Sequence, residues 1–320
     1  PFRNTAMTSA TEFNNYAYNS IKEAVDIISD AESIDMNLAA IPGIYNSSLT
    51  QHLIDTCEDR GDALAIIDLE GDFKPAAEST DTFKTRVDNA TVTTTVNTLK
   101  DRSIDSSYAA AYFPWVQILD PIADRLVYTP PSVVALGTIS NSENKSELWF
   151  APAGFNRGGL TSGAAGVPVV GITQKLTSKQ RDTLYEANIN PIASFPSEGI
   201  VVFGQKTLQI TPSALDRINV RRLLIFLKKE VSRIANGILF DQNVQVTWNR
   251  FTGKIEPFLR SVQTGLGLTE FKVVLDSATT TPDLIDRNVL YAKIFLKPAR
   301  AIEYIAIDFN ISNTGAAFDD

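Results

Sequence analysis

Cysteine and histidine are almost missing from this chain. It has one of each, Cys57 and His52, in 320 residues. A single cysteine excludes an internal disulfide, and the two residues together cannot complete a Cys/His zinc site within one chain. Any Ser-His-Asp or Cys-His apparatus would have to be built on His52 alone. Both lie in SSLTQHLIDTCEDRGD, where Leu49, Leu53 and Cys57 recur at helical spacing, Ser48 and Gln51 read as a capping box, and Gly61 reads as a stop. Cys57 is therefore expected in the core with a suppressed reactivity. His52, beside the stripe, is expected on the helix flank. Positive charge is also short. With a net charge of -8 and a pI near 4.9, a broad nucleic-acid surface is excluded, because counterion release needs clustered Lys and Arg. No apolar run reaches the roughly 18 residues of a membrane span, so no direct membrane insertion is expected. The first residues, PFRNTAMTSATEF, have neither the charged nor the apolar part of a signal peptide. They also lack an initiator Met, which reads as a fragment of something longer.

What is present is the composition of a packed protein, 44% apolar and 9% aromatic. In the first half, helix and strand patterns alternate. Ile21, Val25 and Ile28 mark a helix, the Cys57 helix follows, and ALAIIDLEGD is a short apolar run suited to a strand buried on both faces. The polar stretch 74–100 reads as a loop leading into a helix. SSYAAAYFPWVQILDP brings Tyr108, Tyr112, Phe113 and Trp115 together, which demands cover. Five glycines between 154 and 166 mark a composition shift, so a boundary is placed near Glu147. This divides an outer α/β domain, 1–147, from a C-terminal core domain, 148–320.

In the second half, Thr177 and Gln180 form a capping box. The helix INVRRLLIFLKKEVSRIANG carries Val220, Leu224, Leu227, Val231 and Ile234 as one stripe, with Arg221, Arg222, Lys228, Lys229 and Arg233 off it. KIEPFLRSVQTGLGL is a second amphipathic element with Ile255, Leu259, Val262 and Leu266 at core spacing. EFKVVLD, VLYAKIFLKP and EYIAIDFNIS read as strands. The whole is expected to be mixed α/β, with a mixed-sheet C-terminal domain flanked by helices.

Three stretches invite a chemical reading. GIVVFGQKTLQI, 199–210, comes within one residue of a phosphate-binding P-loop, but Gln205 separates Gly204 from Lys206. Ile, Val, Val and Phe fill the gap between the glycines, and Pro212 delays the helix that should follow. It reads as a buried strand. GFNRGGLTSGAAG has neither a G-x-G-x-x-G nor a Gly-Lys pair and reads as a connection. Asp68 and Glu70, at the end of a buried strand, are the acids a hydrolase would use, but a partner acid across a cleft is not singled out. No cofactor is called for.

The runs SSYAAAYFPWVQILDP, TPPSVVALG, ELWFAPAGFNRGGL, LYEANINPIASFPSEGIVVFGQKTL, INVRRLLIFLKKEV, ILFDQN, VTWNRFTGKIEPFLRSVQTGLG and KPARAIEYIAIDFNIS, in this order, resemble the contractile tail sheath proteins of large contractile-tailed bacteriophages. Asp241-Gln242-Asn243 and Lys206-Thr207 depart mildly from the family pattern, and the resemblance implies a further N-terminal part, with an arm that reaches neighbouring subunits, outside this sequence. The resemblance implies a structural, non-enzymatic subunit of the virion, stacked as hexameric rings around a tail tube and assembled in the host cytoplasm. Its partners would be further copies, the tube protein, and baseplate and terminator proteins. Terminal arms would knit the copies by adding strands to one another's sheets. The candidate inter-subunit strand is Glu303, Ile305, Ile307, Phe309 and Ile311. The candidate inter-subunit ion-pair set is Arg221, Arg222, Lys228, Lys229 and Arg233, and the candidate tube contact is Lys254, Glu256, Arg260 and Gln263. The alternatives are a sheath of a phage-derived bacterial injection device and, from another class, an acid-dependent hydrolase.

Overall fold

Residues 63–67 are apolar at every position because both faces of their strand are covered, as a parallel sheet requires. The computed structural model describes Asn4, Met7, residues 14–71, Phe73, 91–120 and 122–304. Within these, α1 (Tyr16–Ile27) precedes β1 (Leu38–Ala40), α2 (Ser47–Arg60), β2 (Leu64–Ile67), α3 (Val92–Asp101) and β3 (Ala109–Phe113). Then come β4 (Val116–Asp120), β5 (Arg125–Thr129), α4 (Pro131–Lys145), the short α5 (Gly154–Arg157), β6 (Val169–Ile172), α6 (Ser178–Glu186), β7 (Ile189–Phe195) and β8 (Gly199–Val202). The chain continues with α7 (Ile218–Asn236), α8 (Gln245–Thr264), β9 (Leu268–Val274), α9 (Pro282–Asp286) and β10 (Lys293–Pro298).

The main sheet has the order β1-β2-β3-β7-β8, parallel except for the antiparallel edge strand β8. Side chains alternate across it with period two. Ala65, Ile67, Ala109, Ala111 and Phe113 pack with Leu53, Cys57, Val96, Leu99 and Leu184 of the helices on one face. Leu64, Ile66, Ala110 and Tyr112 pack with Val134, Ala135 and Ile139 of α4 and Ile218 and Ile225 of α7 on the other. A separate antiparallel sheet, β5-β4-β6, flanks this body. A third core joins the rest of α7 to α8 and the two-stranded ribbon β9–β10.

The sheet crosses the expected boundary at Glu147, since β7 and β8 complete a sheet begun by β1, β2 and β3. The glycine-rich shift marks a connection, and the sheet does not divide there. The capping box expected at Ser48 is also corrected. Asn46 caps α2 by accepting from Leu49 N, while Gln51 reaches Asp55. Thr177 and Gln180 do form a capping box, and Gly61 ends α2 in the left-handed conformation. Cys57 is fully buried, and burial pushes its thiol up to about 12. His52 sits half-exposed on the flank of α2, its Nε2 2.6 Å from an Asp26 carboxylate oxygen.

Two helical glycines give opposite expectations. Alanine normally favours a helix over glycine by about 1 kcal/mol. A Cβ on Gly253 of α8 meets nothing within 4 Å, whereas one on Gly137 of α4 would lie 2.0 Å from the backbone oxygen of Ala165. Gly253→Ala is thus expected to stabilise by up to about 1 kcal/mol, and Gly137→Ala to destabilise by about 1–3 kcal/mol through overpacking. Urea unfolding of the two variants checks both signs.

Candidate functional site

The stretch nearest to a phosphate cradle has spent its donors. Gly199–Val202 is β8, and Val202 N donates to Gly158 O, Phe203 N to Pro191 O, Lys206 N to Asn190 Oδ1, Thr207 N to Asp216 O and Leu208 N to Ala109 O. An anion nest needs a run of consecutive free N–H groups, and those on both sides of Gly204-Gln205 are taken. The Lys206 ammonium, 2.7 Å from Tyr185 O, lies over the Tyr185 ring. The hydrolase acids are likewise no pair. Asp68 is buried, accepting from Gly43 N, Ser132 N and Ser132 Oγ, so it ties β2 to the start of α4; Glu70 points to solvent. Burial raises the Asp68 pKa against those hydrogen bonds.

On α7 the five cations divide. The expectation of a common free face fails for Arg221 and Arg222, both buried. The first turns of α7 are packed all round, between the main sheet and the third core, so no side there is off the stripe. Arg222 bonds Glu143 at 2.7 Å and Leu148 O at 3.3 Å. Arg221 bonds Ser107 Oγ, and its guanidinium carbon stands 3.9 Å from the Tyr108 ring centroid. Desolvation lowers the pKa of both, but an arginine stays charged. Lys228 reaches Gly61 O at 3.5 Å; Lys229 bonds Asp35 at 2.6 Å and Met36 O at 2.7 Å. Arg233 is exposed and paired with Glu230 one turn earlier. Four of the five therefore hold α7 to other parts of the same chain.

The ribbon is the element with backbone to offer. Its register sets Phe295 opposite Lys272, Leu296 opposite Phe271 and Lys297 opposite Glu270. Phe271, Val273, Ile294 and Leu296 face α7 and α8, whose Leu227, Phe251, Ile255, Leu259 and Val262 form the buried side. Those four strand residues stay only half-buried. A sheet of two strands leaves one edge of each unpaired and is marginal by itself. Among the described residues nothing pairs with either outer edge.

On α8, Lys254, Glu256 and Arg260 are exposed on the face away from that core, as expected. Gln263 is half-buried and donates to Thr269 O at 2.8 Å, so it closes the turn into β9. Leu266, expected at core spacing, is 68% exposed, because the helix ends at Thr264 and Leu266 takes a positive φ in the turn. The helix starts at Gln245, earlier than the periodicity marks, with Trp248 and Phe251 buried.

The candidate strand begins at a fixed point. Arg217 holds Glu303 with two bonds, Nε to Oε1 at 2.6 Å and Nη2 to Oε2 at 3.0 Å, and Gln205 Nε2 adds a third at 3.3 Å. Burial pushes the Glu303 pKa up, but the Arg217 hydrogen bonds and charge outweigh it and hold it below the ordinary 4.5. Tyr304 beyond it is exposed; Ile305, Ile307, Phe309 and Ile311 lie outside the described residues. Sequence reasoning missed this clamp, since Arg217 lies 86 residues from Glu303 and no periodicity links them.

A lowered carboxylate pKa stabilises the fold above the unfolded value and loses that contribution as pH falls. A double-mutant cycle of Arg217→Gln and Glu303→Gln is expected to give a coupling of about 1–2 kcal/mol near neutral pH. The coupling fades as pH drops from 4.5 downward. Denaturant titrations at neutral and acid pH measure it.

Known proteins place this geometry. Residues 211–312, from just before α7 through the ribbon, match the phage tail sheath C-terminal domain. The chain is 30% identical over 306 residues to a tail sheath protein of Enterobacteria phage T4, covering 94% of this chain and 45% of that protein. It is 35% identical over 232 residues to one of Vibrio phage KVP40, covering 72% and 32%. It thus spans less than half the length of these relatives. In fold it is similar to the contracted sheath of an extracellular contractile injection system, PVC, with a TM-score of 0.70, 21% identity and coverage of 90% and 75%. It is similar also to the contracted helical sheath of the anti-feeding prophage, with a TM-score of 0.68, 20% identity and coverage of 91% and 73%. A collinear match across nearly the whole chain, with the family's C-terminal domain falling on α7, α8 and the ribbon, makes this chain a member of the contractile tail sheath family.

Proposed function

We propose that this chain is part of a phage tail sheath subunit that stacks as hexameric rings around the tail tube. The sheath contracts to drive the tube through the host envelope. The observation that carries the proposal is the unfinished ribbon β9–β10, inside the segment that matches the sheath C-terminal domain. An added strand bonds through backbone atoms, so the joint survives while side-chain contacts around it change. Residues 303–311 are the strand offered to a neighbour, leaving the subunit at the Arg217 clamp. In this reading the exposed Lys254, Glu256 and Arg260 of α8 face the tube. Arg233 is the one cation of the α7 set whose intrachain partner is only a helical neighbour, so it is the one available for ion pairs between copies. Baseplate and terminator proteins close the two ends of the tube-and-sheath stack, and assembly takes place in the host cytoplasm. The role is structural and non-enzymatic, with no cofactor.

The likeness to the PVC and anti-feeding prophage sheaths favours a second reading, a bacterial injection device. It comes second because those identities are 20–21%, against 30–35% for the phage proteins. Neighbouring genes for a capsid and genome packaging would decide for the phage.

Proline at a paired position removes a ladder hydrogen bond, and because successive residues point their N–H groups to opposite edges, one of two adjacent positions faces the partner. In the intact sheath subunit, Ile307→Pro with Asp308→Pro is expected to abolish the long striated tubes that the parent protein forms by electron microscopy. The monomer's circular dichroism should be unchanged. Tubes of normal length from the double variant would overturn the strand exchange.

A further inference from the structure

Beside the Glu303 clamp lies a groove of about 680 Å³, walled by α6, the loop after β8, the start of α7 and the chain from 299 to 304. Its aromatic lining includes Trp149, Phe150 and Phe203. Gln205 and Asn219 line it as well, each at least 95% buried, and each has a side-chain carbonyl oxygen with no donor. Their amide nitrogens already serve Glu303 and Trp149 O, so both oxygens are fixed as acceptors. Buried acceptors of this kind call for N–H donors.

The rim is cationic. Arg157, Arg181 and Arg300 line the groove, and none makes an ion pair among the described residues. Arg157 is held by Ala151 O and lies over the Phe150 ring, while Arg181 lies over Phe195 and Phe203. Against them stands Asp182, since Glu303 is taken by Arg217. In a chain of net charge -8 this is a concentration of positive charge.

We propose that this groove binds the tail NTGAAFDD, residues 313–320, of a neighbouring copy, with Phe318 on the aromatic lining and Asp319 and Asp320 against the arginines. The tail supplies what the groove lacks: backbone N–H groups, one large apolar side chain and two adjacent carboxylates. A neighbour's tail fits better than the chain's own. Eight residues, 305–312, separate Tyr304 from the tail, and an extended run of that length carries it about 27 Å away. The groove also adjoins the ribbon. Leu266 and Ala299 line it, and Ala299 N bonds Gly267 O at 3.0 Å where β10 ends and β9 begins. A strand laid antiparallel on β9, or parallel on β10, therefore ends at its mouth. The proposal rests on the strand-exchange reading for how the tail arrives.

A peptide of residues 309–320 with a photoreactive phenylalanine at position 318, irradiated with the intact protein, tests it directly. Cross-links are expected within residues 149–157 and 178–205. The yield should fall roughly fivefold or more when the peptide carries Asp319→Asn and Asp320→Asn, or when the protein carries Arg157→Glu with Arg181→Glu. The peptide substitutions leave the protein's fold untouched. Cross-links elsewhere, none at all, or an undiminished yield from the neutral peptide would overturn the proposal. A subunit ending at Ser312 keeps the donated strand and separates the two readings. Tubes from it with unchanged salt stability sink tail docking alone, whereas the proline test above bears on strand exchange alone.

Discussion

Unpaired backbone on two strands is the constraint around which the C-terminal third is arranged. The β9–β10 ribbon buries one face against α7 and α8, and among the described residues nothing bonds to its outer edges. A net backbone hydrogen bond is worth about 0.5–1.5 kcal/mol, so one added strand of a few bonds holds only modestly. In the proposed assembly repetition changes that, because every copy in a ring would make the same joint and many would have to open together. Charged residues at the outward positions, Lys272, Glu270, Lys293 and Lys297, guard the same edges against indiscriminate pairing. The Lys297–Glu270 pair across the ribbon ties its two strands in register.

α7 connects this ribbon to the rest of the subunit. Ile218 and Ile225 belong to the core beneath the main sheet, while Leu223 and Leu227 belong to the core under the ribbon. A displacement of the ribbon unit is thus carried along one continuous helix into the sheet. The buried arginines sit where the two cores meet. Removing Glu143 would leave the buried Arg222 without its charge partner, though Glu143 itself is partly exposed and the loss is therefore smaller than for a fully buried pair. Arg222 with Glu143 and Arg221 on Tyr108 add directional contacts that hydrophobic packing of α7 alone does not supply.

How far the sequence could be read depended on the range of the forces involved. Local signals were legible: the Thr177 capping box, the Gly61 stop, the buried run 63–67, and the strand at Gly199–Val202. Periodicity placed α7 and the Ile255, Leu259 and Val262 stripe of α8. It failed where a helix is covered on several sides, which is why Arg221 and Arg222 looked exposed. It also failed where distant strands meet, since nothing near Glu147 reveals that β7 joins β3. The clamp at Glu303 is the extreme case, because its partner lies 86 residues away. Family likeness supplied the assembly, which no single-chain pattern contains.

The near-miss P-loop bears on the energetics of the proposed contraction. The N–H groups of Val202, Phe203, Lys206, Thr207 and Leu208 are committed to Gly158, Pro191, Asn190, Asp216 and Ala109, so reshaping the stretch to hold a phosphate would dismantle the edge of the main sheet. In the proposed contraction, work done without nucleotide would come from a difference in packing between two arrangements of the same subunits. Such a difference can be small per copy, a few kcal/mol, and still drive a cooperative change when many copies switch together. It requires joints that stay bonded in both arrangements. Backbone pairing on the ribbon and a charge-clamped exit at Glu303 satisfy that requirement with side chains free to exchange partners around them.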